Sequence, residues 1–493
     1  MLLSHVIINV SNHYERLLEQ YNSMAFACQL DASHYNSFSV LPQTMCANHL
    51  AGCLMLYRNR RKTMEQFIIQ GGIPLVGEVT PGGNKNAATK MVPACLLSDE
   101  PITLHNVPDI VDVRVLLNVV QQLGASVEWF DEKTVRIHAH TLNGVLVHRD
   151  MARTRAGIVL SGVMLGRMGE VALPLPGGDV IGERRLDTLF DGVQQLGAII
   201  HHDGTYLRMK APNGLKGANI LLREASVTAT ENTLLAAVLA KGTTIIRNAA
   251  GEPHVQDLCR MLIGLGAQIE GVGSNQLTIM GVDKLKGGSA VVGADFMEVG
   301  SFIGAAVVTG GSLTIRQADP QHLDMVRIAY ARLGVSVEVH GEDVIVPAQQ
   351  DLKMLPDFGG KLPVIKAQPW PAFPPDLMSI ALMIATQSEG HVLFHDWMYE
   401  SRFFFTDKLV QMGARITLCD PHRVVVQGAT RLKGGLLLES PDIRAGMALL
   451  LAALAAKGEC RISNIHQIER GYAFVEEKLR RLGAQIERVS LSD

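Results

Sequence analysis

The chain has 493 residues, and its 45 Lys+Arg against 48 Asp+Glu leave a formal net charge of -3. That length exceeds one ordinary hydrophobic core and predicts two large domains, while the near-balance of charge excludes the basic field of a nucleic-acid binder and the polybasic handle of a membrane-surface protein. The seven cysteines (Cys28, Cys46, Cys53, Cys95, Cys259, Cys419, Cys460) are odd in number and lack CxxC spacing, so no disulfide frame and no zinc site is expected and a reducing cytoplasm fits. No apolar run reaches the roughly 18 residues of a membrane span, and the N-terminus shows no export signal.

Residues 1–63 carry three of the cysteines and the basic run Arg58-Asn59-Arg60-Arg61-Lys62 without a sustained strand or helix period. They read as a poorly patterned extension, with Met64 as the biological start or the upstream stretch as a disordered appendage. Regular pattern begins with a short strand from Met64. Pro81-Gly82-Gly83-Asn84-Lys85-Asn86 then precedes a small-residue helix expected near Ala87, which places Lys85 at a helix N-terminus suited to an anion; the Ser/Thr of a Walker A loop is missing. Leu175-Pro176-Gly177-Gly178-Asp179-Val180-Ile181-Gly182-Glu183-Arg184-Arg185 combines glycines, acids and adjacent arginines, a composition flexible enough for a lid. Pro374-Pro375-Asp376 stands before the apolar run Leu377-Met378-Ser379-Ile380, where an acid by itself reads as an N-cap. Asp442-Ile443-Arg444 opens another apolar helix, and Glu469-Arg470-Gly471-Tyr472 lies near the start of the last one. Arg444 on an otherwise apolar helix requires an anionic partner.

An internal repeat organises these elements. Leu123-Gly124-Ala125, Leu196-Gly197-Ala198, Leu265-Gly266-Ala267, Leu333-Gly334-Val335, Met412-Gly413-Ala414 and Leu482-Gly483-Ala484 recur about 70 residues apart. Each glycine is expected to close a helix in the left-handed conformation and lead into a strand such as Ser126-Val127-Glu128-Trp129 or Gln268-Ile269-Glu270. Lys-Gly turns at Leu215-Lys216-Gly217, Leu285-Lys286-Gly287 and Leu432-Lys433-Gly434 introduce a further strand. Helices rich in small residues, at Leu235-Ala236-Ala237 and Leu449-Leu450-Leu451-Ala452-Ala453, are expected to be the buried ones. Six such units are too long for a common solenoid and predict two globular domains of three units each, with the ligand in the cleft between them. No zinc-peptidase, serine-hydrolase, dinucleotide or kinase motif is present, which leaves the chemistry to Lys, Arg and Asp.

From Met64 to the C-terminus, with GGDVIGER, DIRAG and ERGY in order, the chain resembles the UDP-N-acetylglucosamine 1-carboxyvinyltransferases, enolpyruvyl transferases related to EPSP synthase. The resemblance implies an α/β (α+β) fold, a two-domain inverse α/β barrel with residues 85–293 in one domain and 64–84 plus 294–493 in the other. It implies transfer of enolpyruvyl from phosphoenolpyruvate to the 3-hydroxyl of UDP-N-acetylglucosamine, without metal or other cofactor, by a cytoplasmic monomer or weak homo-oligomer. By the same resemblance, Lys85, Arg184, Arg444 and Arg470 bind phosphoenolpyruvate, Asp376 is the base at the sugar hydroxyl, and Asn86, Arg155, Asp187, Ser226, Val227 and Met398 contact the nucleotide sugar, with Arg402 and Asp442 in support. The acid position on the glycine-rich loop, a cysteine in most members, is Asp179 here, and such a chain is expected to resist fosfomycin, which alkylates the thiolate. Glu224 and Thr228 depart from the common pattern. A different acceptor, shikimate 3-phosphate or another nucleotide sugar, and a nucleotide-sugar-binding paralogue without turnover are the alternatives.

Overall fold

The computed structural model describes residues 64–147, 151, 155–177 and 185–491; the expectations for residues 1–63, for Asp179 and for Arg184 lie outside the described residues. Within them the repeat becomes six small sheets. A complete unit is seen at 219–280. The edge strand Asn219–Leu221 runs parallel to Thr243–Arg247, which pairs antiparallel with Gln276–Met280, itself paired with Gln268–Glu270. The expected strands Ser126–Trp129 and Gln268–Glu270 form with those bounds, and the three Lys-Gly turns lead to strands Asn219–Leu221, Gly288–Val291 and Leu437–Glu439.

All six repeat glycines (Gly124, Gly197, Gly266, Gly334, Gly413, Gly483) have φ between 85 and 108°. At each one the amide of the next residue donates to the carbonyl five positions back: Ala125 to Val120, Ala198 to Val193, Ala267 to Leu262, Val335 to Tyr330, Ala414 to Leu409 and Ala484 to Leu479, at 2.9 to 3.1 Å. This six-fold Schellman closure satisfies carbonyls that the helix end leaves unpaired, and it requires a residue that tolerates positive φ.

Each unit contributes one inner helix: α1 (Lys85–Ala94), α2 (Leu160–Met168), α3 (Val227–Ala237), α4 (Phe296–Thr309), α5 (Met378–Gln387) and α6 (Ile443–Ala455). Their composition of Ala, Gly, Leu, Val and Met lets them approach closely, and α4, α5 and α6 are buried almost throughout. Two apolar cores result. One is drawn from Ala87 to Val292, the other from Phe67 to Val79 together with Phe296 to Ile486. Strands Met64–Gly71 and Val76–Val79 belong to the second core, the former between Gly458–Ser463 and Gln485–Leu491 and the latter beside Ser312–Ile315. The chain therefore passes twice between the cores.

The two passages are tied together. The Asn84 amide donates to the Gly293 carbonyl at 2.8 Å, the Asp295 amide to the Gly82 carbonyl at 2.9 Å, and the Gly82 amide to Glu298 Oε2 at 2.6 Å. Asn84 caps α1 by accepting from the Ala87 amide at 3.0 Å, so the helix begins at Lys85, two residues before the expected start. Among the described residues no helix is long and apolar enough to cross a membrane.

Gly83 lies in the first passage, where a Cβ would stand 1.8 Å from the Asn106 carbonyl oxygen. Gly83→Ala is expected to lower the unfolding free energy by about 1–3 kcal/mol, the usual cost of overpacking. Urea denaturation measures this; an unchanged midpoint would show that the passages are free to part.

Candidate active site

The inner helices converge on one cavity of about 630 Å³. It is lined by the starts of five of them: Lys85 and Asn86 of α1, Ser226 and Val227 at α3, Met297 of α4, Asp376 before α5, and Asp442, Ile443 and Arg444 at α6; Arg155 and Ala156 come from the turn that leads into α2. Helix N-termini carry partial positive charge and free amides, so a cavity built from several of them favours an anion even in a chain with no basic surplus. The lining side chains add eight bases against six acids, and the cations are placed in groups rather than spread.

The first group joins the two cores. Lys85 Nζ meets Asp112 Oδ2 at 2.8 Å, and Arg470 Nε reaches Asp112 Oδ1 at 3.3 Å. Asp112 sits on the outer helix Val111–Gln122 and is nearly buried. Burial alone would raise its carboxyl, but the charges of Lys85 and Arg470 outweigh burial and hold it below the usual carboxylate range. Arg470 follows the short helix His466–Glu469, whose Glu469 is paired with Arg488, and the final helix starts only at Val475.

The second group centres on Asp376. Arg402 NH2 approaches its Oδ1 at 3.1 Å and Arg444 Nε its Oδ2 at 3.1 Å. This corrects the N-cap expectation. Asp376 lies in the 3-10 turn Pro375–Leu377 and makes no cap bond, because the two guanidinium groups turn its carboxylate into the cavity. Asp442 does cap, accepting from the amides of Arg444 at 2.8 Å and Ala445 at 3.0 Å, which fixes the first turn of α6 and with it the Arg444 stem. The Arg444 guanidinium also lies over the Tyr472 ring at 5.3 Å, and its buried NH1 has no hydrogen-bond partner. Arg402, which is 2% exposed, is held from behind by the fully buried Asp396 at 3.6 Å. Asp396 accepts from the amides of Met398 and Tyr399 as well, at 3.0 and 3.3 Å, so the same carboxylate sets the turn that carries Met398 to the cavity.

Lys85, Asn86, Arg155, Asp187, Ser226, Val227, Asp376, Met398, Arg402, Asp442, Arg444 and Arg470 thus all line one cavity. Asp187 pairs with Arg185 at 3.2 Å, and Ser226 spends its hydroxyl on the Ala229 amide at 3.4 Å as the cap of α3. Sequence pattern did not single out Asp112, Lys90, Glu252, His254 or Trp397, which line the same space. The criterion that marks Arg444, a lone charge in an apolar helix, also marks Lys90 in Thr89-Lys90-Met91-Val92 and Asp112 in Val111-Asp112-Val113.

The chain is similar to known proteins over the whole patterned region. The family model of EPSP synthase (3-phosphoshikimate 1-carboxyvinyltransferase) matches residues 69–479. The UDP-N-acetylglucosamine 1-carboxyvinyltransferase of Borreliella burgdorferi is 52% identical over 429 residues, 86% of this chain and 99% of that protein. The protein of the same name from Treponema denticola is 49% identical over 425 residues, again 86% and 99%. The crystal structure of the enolpyruvyl transferase NikO from Streptomyces tendae superposes with a TM-score of 0.76 at 24% identity, over 87% of this chain and all of that one, and EPSP synthase from Acinetobacter baumannii with 0.66 at 19%, over 86% and 100%. These two likenesses speak to the fold.

Beside the cavity, Glu231 of α3 is completely buried, faces Lys90 Nζ at 3.6 Å and has no hydrogen bond to either oxygen. Burial pushes its carboxyl up to about 7 against the pull of Lys90. The native state therefore binds a proton between about pH 4.5 and 7 that the unfolded chain does not, and stability falls as pH rises through that window. Glu231→Gln should remove a fall on the order of 1–3 kcal/mol when urea midpoints at pH 5 and 7.5 are compared; an identical pH difference in both proteins would contradict the assignment.

Proposed function

We propose, from the premise that the chain belongs to the EPSP synthase family, that it transfers the enolpyruvyl group of phosphoenolpyruvate to the 3-hydroxyl of UDP-N-acetylglucosamine and releases phosphate. The observation that carries this reading is the pair of cation groups around one cavity, Lys85 with Arg470 and Arg402 with Arg444, beside the carboxylate of Asp376, which faces the same space. A dianion with a phosphate and a carboxylate suits such forks and a Lys point charge, and a neutral hydroxyl suits the carboxylate.

Lys85, Arg444 and Arg470 hold phosphoenolpyruvate in this reading, and Arg184 of the glycine-rich loop completes the set. Asp376 takes the proton of the sugar hydroxyl as its oxygen bonds to C2, while Asp179 delivers a proton to C3. The tetrahedral ketal then loses a C3 proton and breaks the C2–O bond to phosphate, which leaves the enol ether. Asn86, Arg155, Asp187, Ser226, Val227 and Met398 receive the nucleotide sugar. We take the two cores as two lobes, 85–293 against 64–84 with 294–493, that close over the substrates and exclude water. The reaction is an early cytoplasmic step of peptidoglycan synthesis, carried out by a monomer or weak homo-oligomer that needs no cofactor.

Phosphate release from phosphoenolpyruvate is expected with UDP-N-acetylglucosamine as acceptor; release only with shikimate 3-phosphate would overturn the reading in favour of the reaction in the family's own description. Arg444→Ala and Arg470→Ala should each raise the KM for phosphoenolpyruvate by roughly 100-fold, as expected for a lost charged hydrogen-bond pair, and leave the nucleotide-sugar Kd within a few-fold. Equal loss of both would contradict the assignment. With Asp179 in place of a thiol, preincubation with fosfomycin should leave activity constant in time, and progressive inactivation would remove Asp179 from the acid position.

A further inference from the structure

One stretch of the cavity lining takes no part in the chemistry above. It comprises Glu252 and His254, at the start of the outer helix Pro253–Gly264, and Lys90 of α1. His254 is 4% exposed, lines the cavity, and its buried Nδ1 has no hydrogen-bond partner; Glu252 Oε2 is likewise buried and unpaired. The Glu252 carboxylate is met by its own backbone amide and by that of Trp370, a residue of the second core that also lines the cavity. The wall is thus built from both cores, and it contains buried polar atoms that no protein group satisfies.

The charges around the imidazole decide what it can recognise. Burial, then the positive charge of Lys90, with Arg444 against Asp376, hold the His254 ring down to about 3, so it is neutral at any physiological pH. Lys90 faces Glu231 at 3.6 Å, and Glu252 adds a further acid; burial raises both carboxyls to about 7, so above that pH, where both are ionised, this wall carries no positive surplus. A phosphate or carboxylate gains nothing there. A neutral imidazole offers one donor and one acceptor, which matches a hydroxyl or an amide of an uncharged ring.

We propose that His254 is a specificity-determining residue for the acceptor, hydrogen-bonding the uncharged sugar ring beside the hydroxyl that faces Asp376. The inference rests on the acceptor reading above. It assigns the anion to the Lys85, Arg444 and Arg470 side of the cavity and the neutral ring to the Glu252 and His254 side. A packing role would make the same ring replaceable by another of similar volume, whereas a hydrogen-bonding role would not.

The test uses the full chain with His254→Phe, which keeps the ring volume, and His254→Gln, which keeps neutral hydrogen bonding; His254→Leu replaces the first if it does not fold. Calorimetric titration with UDP-N-acetylglucosamine should show acceptor affinity weakened roughly tenfold or more in His254→Phe and largely regained in His254→Gln, as for a site that loses a buried hydrogen bond. The KM for phosphoenolpyruvate should stay within about twofold in both. Wild-type acceptor affinity in His254→Phe, better binding in Phe than in Gln, or a loss confined to phosphoenolpyruvate would overturn the proposal. Wild-type turnover decides the acceptor itself, and the variant-to-wild-type ratio is read on whichever acceptor the wild type uses, so the two readings fail separately.

Discussion

Asp112 holds two cations that belong to different cores, Lys85 at 2.8 Å and Arg470 at 3.3 Å. Two like charges aimed at one small space repel, and a nearly buried carboxylate shared between them offsets that repulsion while fixing where each points. The arrangement ties the start of α1 to the segment after His466–Glu469, which lies more than 380 residues along the chain and is braced by Arg488 through Glu469 and Glu476. The crossing between the cores rests on the same region: Asp295, which caps α4, also reaches the amide of Lys85 at 3.4 Å. Backbone passage, helix start and site cation are thus one connected structure.

The rest of the site repeats this logic on a larger scale. Each unit buries a helix whose small residues permit close packing, and the helix starts converge because each unit is built the same way. What distinguishes the units is the side chain at each start: Lys85, Asp442 with Arg444, and Asp376 carry charge, whereas Ser226 is spent as a cap. A common scaffold thereby supplies a general preference for anions, and a few substitutions on it divide the cavity into a strongly cationic side and a neutral polar side.

Much of the fold was legible because the repeat glycine is a conformational requirement that sequence displays directly. Leu-Gly-Ala predicts a Schellman closure, and all six copies adopt it. Arg444 was legible for the opposite reason, as a charge out of keeping with its apolar helix. Asp376 was only half legible: Pro374-Pro375-Asp376 resembles a cap, and what redirects the carboxylate is Arg402 and Arg444, which come from 26 and 68 residues away. His254 was missed because its meaning depends on burial, which a local pattern does not record; Asp112 is marked as a charge between apolar neighbours, but its partners Lys85 and Arg470 are brought to it only by the tertiary structure.

The central claim is that one dianion is held by cations from both cores while a sugar hydroxyl meets Asp376. A crystal structure of the full chain with phosphoenolpyruvate and UDP-N-acetylglucosamine, or with their stalled adduct, tests it most directly. The phosphate and carboxylate are expected on Lys85, Arg444 and Arg470, and the sugar 3-hydroxyl oxygen within hydrogen-bond reach of Asp376. An anion bound away from those three residues, or a sugar oriented with Asp376 out of reach of its hydroxyl, would contradict it.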